Sequence, residues 1–389
     1  MRIRSAAPFV VLLLSLPARA LYVQTDLVSD LTGAAHQDAN LRNPWGLARS
    51  PSSPFWVADN GTGVSTLYAA DGTPNALVVS VPPAAGAQPP SAPTGVVFNG
   101  GTSFELNPGA PARFLFATED GTVSGWSSGT SAIRKIDLSA SDAVYKGLAI
   151  SVSGSGSFLY AANFHAGTID VFDSSFGQTS LPGSFTDPTL PSGYAPFNVR
   201  NLGGSLYVTY ALQDATGKDD APGAGHGFVD VFDTAGSLQR RLVSGGDLNS
   251  PWGLALAPAN FGELSNALLV GNFGDGKIHA YDPLTGAPIG TMQDSNGDPI
   301  QIDGLWGLEF GGGTANNGDT SALFFTAGIA GPDAIEDHGL FGSLTFVPEP
   351  SSLALLASAL APLAWGRRAS RRRGPASDDR QSSGARPPG

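Results

Sequence analysis

NPWGLA at residues 43–48 and SPWGLAL at residues 250–256 are two copies of one short apolar strand built round a glycine, and the chain repeats that strand six times. The glycines are Gly46, Gly95 of APTGVVF, Gly147 of YKGLAI, Gly253, and Gly307 of LWGLEF, with Asn198 of APFNVRNL in the fourth place. Their spacings are 49, 52, 51, 55 and 54 residues. Each is followed by a second strand, a turn and a third strand, as in FWVADNG and GVSTLYA after the first glycine. A period of about 50 residues made of strands predicts an all-β, six-bladed β-propeller of four-stranded antiparallel blades, because one such sheet cannot bury both its faces alone.

The sixth repeat runs LWGLEF, ALFFTAGI and HGLFGSLTF and then leaves no fourth strand. LYVQTDLV (21–28) has no blade of its own and is the expected donor of that strand, which would join the two ends of the ring and remove an exposed edge.

Composition fits a globular all-β core: 41% of residues are apolar, and 51 glycines and 30 prolines punctuate many short strands. The absence of cysteine excludes disulfides, thiolate metal sites and thiol chemistry. Residues 21–346 carry 11 basic against 30 acidic side chains, a balance of −19, more negative than the −12 of the whole chain. Such a surface repels phosphate backbones, so nucleic acid is not an expected partner, whereas cations, sugars and basic proteins are.

The two ends read as addresses. Arg2 and Arg4, the apolar run PFVVLLLSLP (8–17) and Ala18-Arg19-Ala20 make a signal peptide over residues 1–20, whose apolar core is too short to span a bilayer. The domain is expected over 21–346. Residues 347–373 hold Pro348-Glu349-Pro350, the apolar SSLALLASALAPLAWG (351–366) and an arginine cluster ending in Arg371, Arg372 and Arg373; residues 374–389 form a polar tail. The order of Pro-Glu-Pro, short apolar helix and arginines resembles the PEP-CTERM sorting tail. That resemblance implies recognition by an exosortase-type membrane protease, transient inner-membrane anchoring, and delivery to the cell surface or exopolysaccharide matrix of a Gram-negative-type bacterium. The repeat itself, with NPWGLA, FWVADNGTGVSTLY, SAPTGVVFNG and SPWGLALAPANFG, resembles NHL-type six-bladed propellers, and over 21–346 as a whole an uncharacterised family of exported bacterial propellers. The resemblance implies fold and export and brings no activity.

Three sets of residues are candidates for chemistry. Aligning the ends of the six second strands superposes Asp59, Glu119, Asn163, Tyr210, Asn272 and Ala327. Asp59, Glu119, Asn163 and Asn272 could converge at one end of the central channel as oxygen ligands for Ca²⁺, as the resemblance to calcium-dependent lactonases of six blades implies, or could each start a local turn. The residue before each glycine is Trp45, Thr94, Lys146, Phe197, Trp252 or Trp306. Trp45, Phe197, Trp252 and Trp306, with Lys146 opposite, offer a sugar-stacking arc if they face a channel mouth, and plain core if they face a neighbouring blade. Two long connections, 211–227 and 328–339, carry Asp214, Asp219, Asp220 and His226, and Asp333, Glu336, Asp337 and His338. Acids and histidines on long loops suit acid–base or metal chemistry, or are solvated loop surface. The chain holds no G-x-S-x-G, H-E-x-x-H or P-loop motif. It is therefore expected to be a binding or scaffold module for an extracellular carbohydrate or surface protein, with a metal-dependent lactonase or lyase as the alternative.

Overall fold

The repeating glycine marks where neighbouring blades touch. A computed structural model describes residues 22–153, 156–332 and 336–348. The signal segment, Glu349, Pro350, Asp333 and the arginine cluster lie outside the described residues. A methyl on Gly46 would stand 2.3 Å from the Thr94 carbonyl oxygen of the second blade, and one on Gly307 would stand 2.7 Å from the Trp45 carbonyl of the first. Gly95 abuts Leu148, Gly147 abuts Asn198, and Gly253 abuts Trp306 in the same way. Asn198 replaces the glycine in the fourth repeat, and its amide donates to the Trp252 carbonyl at 2.8 Å. The contacts pass from blade one to blade six and back to one, so the innermost strands form a closed ring.

Each blade is one antiparallel sheet. The first comprises Pro44–Ala48, Phe55–Asp59, Val64–Tyr68 and Val79–Ser80. The fourth comprises Tyr194–Leu202, Ser205–Leu212, Phe228–Phe232 and Leu238–Ser244. In the sixth sheet Leu305–Phe310, Ala322–Ile329 and His338–Phe346 are joined by Tyr22–Ser29, which runs antiparallel to His338–Phe346 with Tyr22 opposite Phe346 and Ser29 opposite Leu340. Tyr22, Leu27 and Val28 are buried there, and the Tyr22 hydroxyl donates to the Phe261 carbonyl at 2.7 Å. Among the described residues the only helical elements are the short 3-10 turns Ser139–Ser141 and Gly262–Leu264, and no helix is long and apolar enough to cross a membrane.

Alternating inward residues build a hydrophobic cluster between each pair of neighbouring blades. Trp56 stacks on Phe114 between blades one and two at 4.1 Å, and Tyr160 meets Phe185 and Val199 between three and four. A seventh cluster lies on the axis and has a different origin. In every innermost strand the register with its partner shifts around the residue preceding the glycine, for instance between Pro44 and Leu47 and between Pro251 and Gly253. A β-bulge re-aims the side chain it leaves unpaired. Here it turns Trp45, Lys146, Phe197, Trp252 and Trp306 toward the axis.

Candidate functional site

The axial side chains meet as a plug. Trp45 stacks on Trp306 with centroids 3.6 Å apart, and Phe273 stacks on the same ring at 4.1 Å. Trp252 meets both tryptophans edge-on, at 6.2 and 5.7 Å, and Phe197 bridges Trp306 and Phe164. Trp45, Phe197, Trp252 and Trp306 are at most 4% exposed. The sugar-stacking arc is thus corrected to core: the bulges turn the rings of blades one, four, five and six onto one another across the axis, so their faces are covered by aromatic partners.

Lys146 enters the same plug from blade three and is 2% exposed, a placement tolerable only if its charge is paired. Its Nζ donates to Glu119 Oε1 at 2.5 Å and to Asp219 Oδ1 at 3.0 Å, and lies 5.0 Å from the Trp45 ring centroid, within cation–π range. Burial opposes charge on both Lys146 and Glu119. The attraction between them prevails, so the ammonium is held above its ordinary pKa and the carboxyl below its own. Glu119 Oε2 accepts from Asn60 Nδ2 at 2.9 Å, Asn60 Oδ1 accepts from Asn43 Nδ2 at 3.5 Å, and Asn43 Oδ1 accepts from the indole N–H groups of Trp45 and Trp306 at 3.0 and 3.3 Å. A polar chain therefore links blades six, one, two and three and reaches the blade-four loop at Asp219, directly over the aromatic plug.

The two long loops add further carboxyls. Asp220 is pushed up by burial, against the pull of the nearby Ser250 hydroxyl and Lys146, and its Oδ2 is buried without a hydrogen-bond partner. Glu336 of the blade-six loop is pushed up to about 8, first by burial and then by Asp220 and Glu119, with Asn43 opposing. Glu119, Asp219, Asp220 and Glu336 thus gather round the buried ammonium of Lys146, and a second ammonium, Lys218, stands near Glu119. Next to them opens a cavity of about 660 Å³ lined by Glu119, Asp120, His165, Asp214, Lys218 and Asp219. The mouth can accept hydrogen bonds, neutralise an added positive charge and, through Glu336, supply a proton near neutrality.

The remaining candidates take other places. Asp59 Oδ2 accepts from the amide and hydroxyl of Thr66 in its own blade, and burial pushes its carboxyl well up. Asn163 accepts from the amides of Val144 and Ala166 and donates to Asp170, while Asn272 donates to the Asp247 carbonyl and to Asp275. These three engage groups near at hand, and the fourth, Glu119, engages the Lys146 ammonium, which stands where a cation between Glu119 and Asp219 would have to sit. Among the described residues no group of three or more His, Asp or Glu side chains could hold a metal ion. The set expected to hold Ca²⁺ does not fit one, because three of its members are turned to nearby partners and the fourth is paired with the Lys146 ammonium. His226 folds back on the Ala221 carbonyl at 2.9 Å. His338 bonds Asp30 at 2.7 Å, Gly339 donates to the same carboxylate, and Asp337 lies 3.9 Å from Arg42. The latter pair of residues thus fastens the sixth sheet to the segment after Ser29 and stays outside the mouth.

Asn43 and Asn60 were not legible as site residues. The one available signal was an Asn at each end of the first two strands of blade one, Asn43 before Pro-Trp-Gly and Asn60 in the turn after Phe55–Asp59, which the turn chemistry of asparagine explains equally well.

Two uncharacterised proteins of Acanthamoeba polyphaga mimivirus resemble this chain along most of its length. One is 36% identical over 317 residues, covering 78% of this chain and 76% of the relative; the other is 34% identical over 326 residues, covering 80% and 82%. No protein-family signature matches the chain. Among solved structures, a glucose dehydrogenase superposes with a TM-score of 0.50 at 12% identity, covering 82% of this chain and 98% of its own. A Bacteroides thetaiotaomicron protein of unknown function also reaches 0.50, at 10% identity, covering 85% and 77%. At such identities these likenesses speak for the propeller fold and for nothing finer.

Proposed function

We propose, for a chain that belongs to the same family as the two uncharacterised mimivirus proteins, that it is an exported binding propeller whose ligand docks a positively charged, hydroxyl-rich group at the Lys146 mouth. The observation that carries this reading is the excess of carboxyls over cations where the two long loops meet. Glu119, Asp219, Asp220 and Glu336, with Asp120 and Asp214 of the adjoining cavity, outnumber the ammonium groups of Lys146 and Lys218, and burial has already driven Asp220 and Glu336 toward their protonated forms. An incoming amine relieves that repulsion by letting one of them ionise, and the exposed carboxylate of Asp219 steers it inward. Hydroxyl groups around the amine would be held by the carboxylates and by Asn60. An amino sugar of a surface polysaccharide combines the two features. The signal segment and the sorting tail would deliver the propeller to such a matrix through an exosortase-type protease.

The test is calorimetric titration of the full chain with glucosamine oligomers, with their N-acetylated counterparts as neutral controls. The reading expects saturable binding of the cationic oligomer, weakened at least about tenfold by Asp219→Asn with Asp220→Asn, as loss of charge-assisted hydrogen bonds requires. Equal binding of both oligomers, or of neither, would overturn it. A basic peptide binding in their place would move the ligand class to protein.

A second reading rests on Glu336 alone. A carboxylic acid poised near neutrality beside a Lys–Glu pair is the arrangement of a metal-free lyase or lactonase, with Glu336 as proton donor. Turnover of a lactone panel that survives chelation and is abolished by Glu336→Gln would favour this enzyme over the binding module.

A further inference from the structure

The opposite end of the axis has the reverse chemistry. The innermost strands end there at Ala48, Phe98, Leu256 and Phe310, and the later residues of those of blades one, two, three, four and six line a cavity of about 370 Å³ to which Arg49, Arg200 and Glu309 contribute. Only 11 basic side chains serve the whole of residues 21–346, yet two of them are gathered here against a single carboxylate. Arg200 Nη2 donates to Glu309 Oε2 at 2.5 Å, across the ring from blade four to blade six. Arg49 is fixed by a different set of partners: its Nε and Nη2 donate to the carbonyls of Phe310 and Gly311 at 2.7 and 3.0 Å, and Glu309 Oε1 stays 3.7 Å away. Carbonyls orient a guanidinium without cancelling its charge. The mouth therefore keeps one uncompensated positive charge, with each of the three side chains 20% exposed.

We propose that this mouth is a binding site for a small carboxylate anion of the sugar-acid class, with Glu309 as a built-in competitor. Glu309 shows what fits, since its carboxylate lies between two planar donors whose forks match the geometry of a carboxylate. A ligand carboxylate occupies the free donors of Arg49 and Arg200, and Asn201 on the same wall, whose Nδ2 donates to the Ile150 carbonyl at 3.0 Å and whose Oδ1 accepts from the Gly204 amide at 3.1 Å, keeps its second amide hydrogen for a ring hydroxyl. This site stands apart from the Lys146 mouth, so its success or failure is independent of the function proposed there.

The experiment is titration of the full chain with glucuronate, with glucose as the neutral control and inorganic phosphate as the control for a general anion site. Saturable glucuronate binding is expected with a dissociation constant of about 1 mM or tighter, and none for glucose. Arg200→Gln and Arg49→Gln should each weaken it by about tenfold or more. Glu309→Gln should tighten it by about tenfold, since it removes the competing charge and keeps the shape. The tightening also separates a binding role from a merely structural ion pair, whose loss would only lower thermal stability. Absence of saturation in both the native chain and Glu309→Gln, unchanged affinity in the arginine variants, or tighter binding of phosphate than of glucuronate would each overturn the proposal.

Discussion

Replacing Lys146 by methionine tests whether the mouth is organised by its ammonium. The side chain is 2% exposed, Glu119 is 13% exposed, and their closest atoms are 2.5 Å apart, so the substitution leaves a nearly buried carboxylate with only Asn60 as donor. Removing one member of a buried ion pair costs about 3–5 kcal/mol, because the survivor keeps its desolvation penalty. For a unit of Ala20–Val347 the entropy of unfolding is roughly 0.7 kcal/mol/K, so the midpoint should fall by about 4–7 °C. Adding Glu119→Gln removes the stranded charge, so the double variant should recover about half of the loss or more, a strong coupling of the two sites. The pair also has a defined pH window. Glu119 is held below its ordinary value of 4.5, so its contribution is present above that pH and disappears as pH falls through its depressed pKa. Lys146 is held above 10.5, so its share is complete below that pH and is lost as pH rises through the elevated pKa. Calorimetric melts of the two single variants and the double variant across pH read all of this. Additive losses, or a single-variant cost below about 1 kcal/mol, would refute the reasoning.

Three further outcomes follow from the same structure. Deleting residues 21–28 removes the buried side chains of Tyr22, Leu27 and Val28 and the ladder to His338–Phe346, and should cost several kcal/mol at about 1.5–3 kcal/mol per buried side chain, read as a lower melting midpoint and faster proteolysis of blade six. Gly46→Ala places a methyl 2.3 Å from the Thr94 carbonyl; it should destabilise by about 1–3 kcal/mol in denaturant melts, whereas Gly290→Ala, with nothing within 4 Å, should show no such overpacking loss. Glu336, raised from 4.5 to about 8, holds a proton in the folded chain that the unfolded chain has released, so stability should decline as pH rises between those values. Glu336→Gln should flatten that decline, seen by comparing melts at pH 5 and pH 8.

The number of blades was legible because one local requirement, a residue without a side chain where two backbones meet, recurs at each inner strand. Asn198 obeyed the spacing while breaking the residue type, and its amide bond to Trp252 shows how a blade contact can be made without glycine. What the residues before the glycines do was not legible. Whether Trp45 and Trp306 face solvent or one another depends on the bulge and on the radius of the closed ring, and neither is written in a six-residue window. The alignment of strand ends gave equivalent positions, but equivalence did not bring side chains together. Asp59 and Asn163 turn back to donors a few residues away, which compete successfully with any distant partner. The long loops stood out by length and acidity, and Asp219, Asp220 and Glu336 do converge. His226 and His338, drawn from the same loops, follow local turns and the strand pairing, and so part company with them. Arg200 and Glu309 are 109 residues apart, and only ring closure makes them neighbours.

Tyr22 faces Phe346 at one end of an antiparallel pair, so the polypeptide enters and leaves the wheel side by side. A tether attached beyond residue 347 would pull on this pair from its Phe346 end, loading the rungs one after another as in opening a zip, which is the mechanically compliant direction for two strands. Force applied between the tether and either axial mouth would therefore strip His338–Phe346 from Ala322–Ile329 on one side and Tyr22–Ser29 on the other before it disturbed the innermost strand of blade six. The same adjacency means that a few linking residues between 346 and 22 would allow the chain to be reopened in a turn of another blade, moving the weak point away from blade six.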